Sequence, residues 1–134
     1  MKDEECAYMS KNFRCENSVF QQRQRKLARV LDLLHSDLGV TSIVHFDPAV
    51  PQTNMVHGYI KAPYDKCILA LNTVEERTGI RVLSRLNECS SLDSTSSRCR
   101  FEWVMGEANS EIDDGVFVSG WNAFVNELLQ LCEV

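Results

Sequence analysis

Leucines recur between residues 27 and 38 at the spacing of an α-helix. Phe20, Leu27, Leu31, Leu34 and Leu38 are separated by 7, 4, 3 and 4 positions, and with Val30 and Leu33 beside them they form one apolar stripe. Asn17 or Ser18 can accept from the first free amides of such a helix, and Gly39 can take the left-handed conformation that ends it. The apolar position expected midway between Phe20 and Leu27 is Gln24, inside the polar run Gln21-Gln22-Arg23-Gln24-Arg25-Lys26. The stripe is therefore continuous only from Leu27, and the first two turns are expected to project a polar, basic surface.

The period then shortens. Val40 to Phe46 is rich in β-branched residues, carries apolar side chains on both faces and ends at Asp47-Pro48, which predicts an interior strand followed by a loop through Pro51 and Asn54. Met55 to Ala62 alternates as a second strand, broken by Pro63. Residues 66–86 admit two readings. In one, Lys66 to Leu71 is a strand, Thr73 and Glu76 form a capping box, and a helix runs from Val74 toward Cys89. In the other, Asp65 caps a helix over 66–78, Gly79 ends it, and Ile80 to Leu86 is the strand. The Thr-x-x-Glu pair and the continuous apolar run favour the first; a mid-helix glycine, costing about 1 kcal/mol relative to alanine, keeps the second open.

Five serines between Ser90 and Ser97 predict a loop. Cys99 to Met105 alternates, with Phe101, Trp103 and Met105 opposite Arg100 and Glu102, as a half-buried strand does. After an acidic loop over 106–115 and a short strand at 116–118, Ser119 can cap a last helix lined by Trp121, Phe124, Val125, Leu128 and Cys132. The predicted fold is α+β: a single, mainly antiparallel sheet of about four to five strands, packed by a long N-terminal helix, one middle helix and a C-terminal helix. Residues 1–16 lack periodicity and are expected to form a loose arm, with 17–134 as a single domain.

Composition narrows the setting. In 134 residues, 44% apolar content suffices for one core without a staple. The charged start has no apolar run of the kind that directs export, and the longest purely apolar stretch, Cys67 to Leu71, is far short of a membrane span. An intracellular protein with no membrane insertion is expected. The six cysteines are then expected to be free thiols, and without a Cys-x2-Cys pair no zinc or other metal is anticipated.

The net charge of −5 hides a gradient. Between residues 11 and 29, Lys11, Arg14, Arg23, Arg25, Lys26 and Arg29 face Glu16 alone, whereas residues 102–133 hold seven carboxylates and no Lys or Arg. Such asymmetry can orient a partner or a second copy of the chain.

Phosphate-binding glycine loops, Gly-x-Ser-x-Gly, His-Glu-x-x-His and calcium-loop patterns are absent from the sequence, and no cofactor is expected. The best catalytic constellation joins His45 and Asp47 at a strand end to His57 on the next strand, with Cys67 as nucleophile, since a thiol needs a nearby imidazole to ionise near neutral pH. More commonly such histidines are ordinary strand residues and such a cysteine is core. Glu107, Glu111, Asp113 and Asp114 read as a solvated turn rather than a cation site. Trp103 and Trp121 fall on apolar stripes and are expected in the core. The reading adopted is a non-enzymatic protein–protein interaction module, an adaptor or assembly subunit, binding a protein partner or itself through Arg23, Arg25, Lys26 and Arg29 together with Leu27, Leu31 and Leu34. The alternatives are a nucleic-acid-associated module using the basic helix 23–29, and a small enzyme with a His/Cys site.

Overall fold

A computed structural model describes residues 18–89 and 98–132; the predicted arm at 1–16 and the serine-rich loop at 90–97 lie outside the described residues. Helix α1 spans Val19–His35, and the Ser18 hydroxyl accepts from the Gln21 amide at 3.2 Å. Leu27, Val30, Leu31 and Leu34 are fully buried along it. The stripe is shorter than its sequence suggested. α1 stops at Ser36, and the Asp37 carboxylate, accepting from the Gly39 and Val40 amides, starts a separate four-residue helix, α2 (Leu38–Thr41). Gly39 therefore lies inside α2, and Leu38, carried off the stripe by the break, is 83% exposed. Phe20 and Leu33 are exposed as well. Gln24, the polar interruption, is half-buried and donates from Nε2 to the Pro51 carbonyl at 2.9 Å.

Strand β1 (Val44–Asp47) begins later than predicted because the Asp37 cap draws Val40 and Thr41 into α2, overriding their β propensity. Strand β2 (Met55–Ile60) follows the loop through Pro51. Over 66–86 the helix-first reading holds, and the favoured strand-first reading is corrected. Helix α3 runs Tyr64–Thr78, burying Cys67, Ala70, Leu71 and Val74 at helical spacing. Gly79, at φ 78°, ends it and donates to the Glu75 carbonyl at 2.8 Å. Thr73 and Glu76 are interior helical positions, not a cap. The next strand, β3 (Leu86–Cys89), starts where the helix-first reading ended its strand, at Leu86, and occupies residues the strand-first reading gave to a helix.

Strand β4 (Arg98–Val104) alternates as expected, with Cys99, Phe101 and Trp103 buried. Helix α4 (Asp114–Cys132) starts before Ser119 and absorbs the strand predicted at 116–118; Asp113 accepts from the Gly115 amide at its first turn. The four strands form one antiparallel sheet in the order β1-β2-β4-β3. α4 packs against α1, α2 and α3, and the helices cover one face of the sheet. Between the layers sits an aromatic cluster in which Trp121 lies 5.2 Å from Phe46, 5.5 Å from Trp103 and 5.7 Å from Phe101, ring centroid to centroid. Both tryptophans are buried. Among the described residues, no helix is long and apolar enough to cross a membrane.

Candidate functional site on the open face of the sheet

The strand register lines up the side chains on the uncovered face in rungs. One rung joins Asp47, His57 and Glu102 across β1, β2 and β4. The next joins His45, Tyr59, Arg100 and Asn87 across all four strands. Arg98 lies one step beyond Arg100 on the same face of β4, because side chains two apart along a strand point the same way. Alternation sends the apolar residues and Gly58 of β1, β2 and β4 inward and leaves this face polar except for the Met55 and Val104 pair at one end.

Local contacts order the face. His57 Nε2 lies 3.2 Å from Glu102 Oε2 at a solvent-exposed position. The His45 ring stacks on Tyr59 with centroids 4.9 Å apart and planes 28° apart, and the Arg98 guanidinium lies 5.0 Å from the Tyr59 centroid. Two adjoining depressions share His57 and Arg100 in their walls. One continues to Asp47, Tyr59 and Arg98, and the other to Arg85, Asn87 and Glu102. A guanidinium in an open, polar depression is suited to planar anions, which it can hold through two parallel hydrogen bonds.

The sheet divides the predicted catalytic set. His45, Asp47 and His57 share the open face, but Cys67 is buried in the first turn of α3 on the helical side. Its Sγ lies 3.8 Å from Cys99 Sγ, and the Cys99 thiol also donates to the Ala62 carbonyl at 3.5 Å. The Cys99 contact, with burial added, pushes the Cys67 thiol well above its ordinary value, the reverse of what a nucleophile requires. Cys67 is thus corrected from candidate nucleophile to core residue.

The predicted partner-binding set is divided too. Lys26 Nζ lies 2.6 Å from Asp114 Oδ1, and Arg29 Nε lies 3.0 Å from Asp114 Oδ2. Arg23 and Arg25 border the same groove as Glu107 and Glu111. The basic early segment and the acidic late segment thus meet within one chain. The Lys26 hydrogen bond and, to a lesser degree, the one from Arg29 hold the Asp114 carboxyl below its ordinary value. Leu27, Leu31 and Leu34 are enclosed in the chain's own core, where no partner reaches them. Among the described residues, no group of three His, Cys, Asp or Glu side chains converges as a metal site would require.

Arg98, Arg100 and Tyr59 were not singled out from the sequence. Their signal was the outward alternation Arg98-x-Arg100-x-Glu102, read only for the apolar face it implied.

No family model and no curated protein sequence matches the chain. Two solved structures are similar in fold. A crystal structure from Exiguobacterium sp. 255-15, designated an aromatic amino acid beta-eliminating lyase/threonine aldolase, superposes with a TM-score of 0.59 at 23% identity, over 84% of this chain and 29% of that one. A structure from Listeria monocytogenes EGD-E, designated an L-allo-threonine aldolase, gives 0.55 at 25% identity, over 76% of this chain and 28% of that one. The chain spans less than a third of the length of either. Both similar structures carry enzyme designations, and on that finding the expectation of a non-enzymatic adaptor or complex subunit is corrected.

Proposed function

We propose that this chain is the carboxylate-recognising unit of an enzyme of the aldolase or lyase class that acts on amino acids. The observation that carries the reading is the placement of Arg98 and Arg100 side by side on the open face of the sheet, both exposed, in a fold similar to part of two such enzymes. Every amino acid presents a carboxylate whatever its side chain, and arginine is the residue best matched to it. Arg98 is held against the Tyr59 ring, while Arg100 borders both depressions, so Arg100 is the anchor and Arg98 the supporting charge. Because 29% and 28% of the similar chains are covered, the proposal is confined to recognition, and bond cleavage is not assigned to these residues.

The test is a titration of the isotope-labelled chain with L-allo-threonine and with threoninol, which replaces the carboxylate by an alcohol, followed by backbone amide shifts. Shifts centred on Tyr59 and Arg100 are expected with the amino acid and not with the alcohol. Arg100→Met, at an exposed position that leaves the core intact, should weaken binding about ten-fold. An equal response to threoninol, or undiminished binding by the variant, would overturn the reading.

A further inference from the structure

We infer that Cys67 and Cys99 form a reversible redox site, a buried dithiol that hydrogen peroxide closes to a disulfide, locking helix α3 onto strand β4. The inference is independent of the proposed function.

The two thiols come from separate elements and meet in the core. Cys67 lies in the first turn of α3 and Cys99 at the second position of β4, and their sulfurs are 3.8 Å apart with both residues fully buried. Register brings Cys99 there. It shares the inward alternation of Phe101 and Trp103, and it pairs with Ile60 at the end of β2, just before the chain turns into α3. The Ala62 carbonyl in that turn lies 3.5 Å from Cys99 Sγ and 4.0 Å from Cys67 Sγ, so three parts of the chain converge on one point. A disulfide holds its sulfurs at about 2.05 Å, so the pair must close by about 1.8 Å. Helix α3 can supply the shift: its N-cap is Pro63, which leaves the first turn without the side-chain anchor that Ser18 gives α1 and Asp37 gives α2.

The contact also divides the roles of disulfide chemistry. The hydrogen bond between the thiols holds Cys99 below its ordinary value and, with burial, Cys67 above it, so Cys99 ionises first and Cys67 keeps its proton. The Cys99 thiolate attacks one oxygen of hydrogen peroxide and the O–O bond breaks. Cys99 becomes a sulfenic acid, and the departing hydroxide leaves as water with the proton that Cys99 had released. The Cys67 sulfur, already in contact, then attacks the sulfenic sulfur. The S–O bond breaks, and the Cys67 proton leaves with that hydroxide as a second water. The two thiols together lose two electrons and two protons, the peroxide is reduced, and the products are one disulfide and two waters. An oxidant little larger than water suits a site closed to bulkier reagents.

The test treats the reduced full-length chain with hydrogen peroxide and, in parallel, with iodoacetamide, and reads both by peptide mass mapping. Peroxide should join the Cys67 and Cys99 peptides, with the loss of two hydrogens, under conditions where iodoacetamide labels neither, and dithiothreitol should restore both thiols. Cys67→Ala should leave Cys99 as a sulfenic acid that dimedone traps, and Cys99→Ala should leave Cys67 as the thiol; near-ultraviolet circular dichroism confirms that each variant is folded. Oxidation of the wild type should raise its urea midpoint, because the bond closes a loop of roughly 30 residues in the unfolded chain, and reduction should reverse the rise. The wild-type map decides the matter even if a variant fails to fold. Cys67 and Cys99 that stay thiols while Cys132 is oxidised, a cross-link that forms only in urea, or a urea midpoint that does not rise on oxidation overturns the inference.

Discussion

Lys26 Nζ lies 2.6 Å from Asp114 Oδ1, joining the second turn of α1 to the first residue of α4 across 88 positions of sequence. The lysine also lies 5.6 Å from the centroid of the Phe117 ring, one turn along α4, so the ammonium is gripped by a charge and a π-face together. Asp114→Asn should cost about 1 kcal/mol in urea unfolding, more than an ordinary surface pair because Lys26 is largely buried. The loss should shrink in high salt.

Acid sensitivity follows from the same carboxylate and from Asp37, whose carboxyl is lowered chiefly by the Asn122 amide, a donor at 2.8 Å. Both groups titrate in the folded chain below their ordinary value of 3.8. Their stabilisation is complete at neutral pH and is lost as the pH falls below 3.8 through the folded values. Thermal melts of the wild type and of Asp114→Asn should therefore differ at pH 6 and converge as the pH approaches 2.5.

Gly58 and Gly79 test two different reasons for glycine. A Cβ on Gly58 would stand 2.2 Å from the His45 carbonyl oxygen and 2.5 Å from Phe101 Cζ, so Gly58→Ala must push β1 and the aromatic cluster apart, at about 3 kcal/mol. A Cβ on Gly79 would meet nothing within 4 Å, and Gly79→Ala should cost about 1 kcal/mol for the left-handed backbone alone. Urea melts of the two variants should rank in that order, and Gly79→Asn should lose less than Gly79→Ala.

Thiol protection separates core from surface. Cys67 and Cys99 are fully buried, with Cys67 raised by its contact with Cys99 and by burial, whereas Cys132 is exposed. Under native conditions iodoacetamide should label Cys132 within minutes and leave Cys67 and Cys99 unlabelled until denaturant is added, as read by peptide mass mapping. Early labelling of Cys67 would mean that the first turn of α3 opens readily.

The main elements were legible where periodicity and a terminator agreed. Leu27, Leu31 and Leu34 marked α1, the alternation of Phe101 and Trp103 marked β4, and together they led to an α+β fold with three principal helices. Errors arose where local chemistry competed with pattern. The run Cys67 to Leu71 suits a strand or a buried helix equally, and Gly79 was the deciding residue. Val116-Phe117-Val118 has strand composition but follows Asp113 and Asp114, which start α4 earlier. The site was less visible because it is made by register. His45, Asp47 and His57 were grouped as strand-end polar residues, but nothing linear sets Arg100 opposite Tyr59 and Glu102 opposite His57. The opposed charges were visible along the chain, but not that Asp114 would meet Lys26 and Arg29 within the same molecule.

The tryptophan pair on the helical side gives the chain two independent optical channels. Trp103 and Trp121, 5.5 Å apart and shielded from water, should emit at short wavelength and couple as an exciton pair in the near-ultraviolet, reporting the integrity of the core. Tyr59, on the open face against Arg98, belongs to the other channel. A ligand seated on the open face should perturb tyrosine absorption while leaving tryptophan emission unchanged, so one cuvette can distinguish occupancy from unfolding.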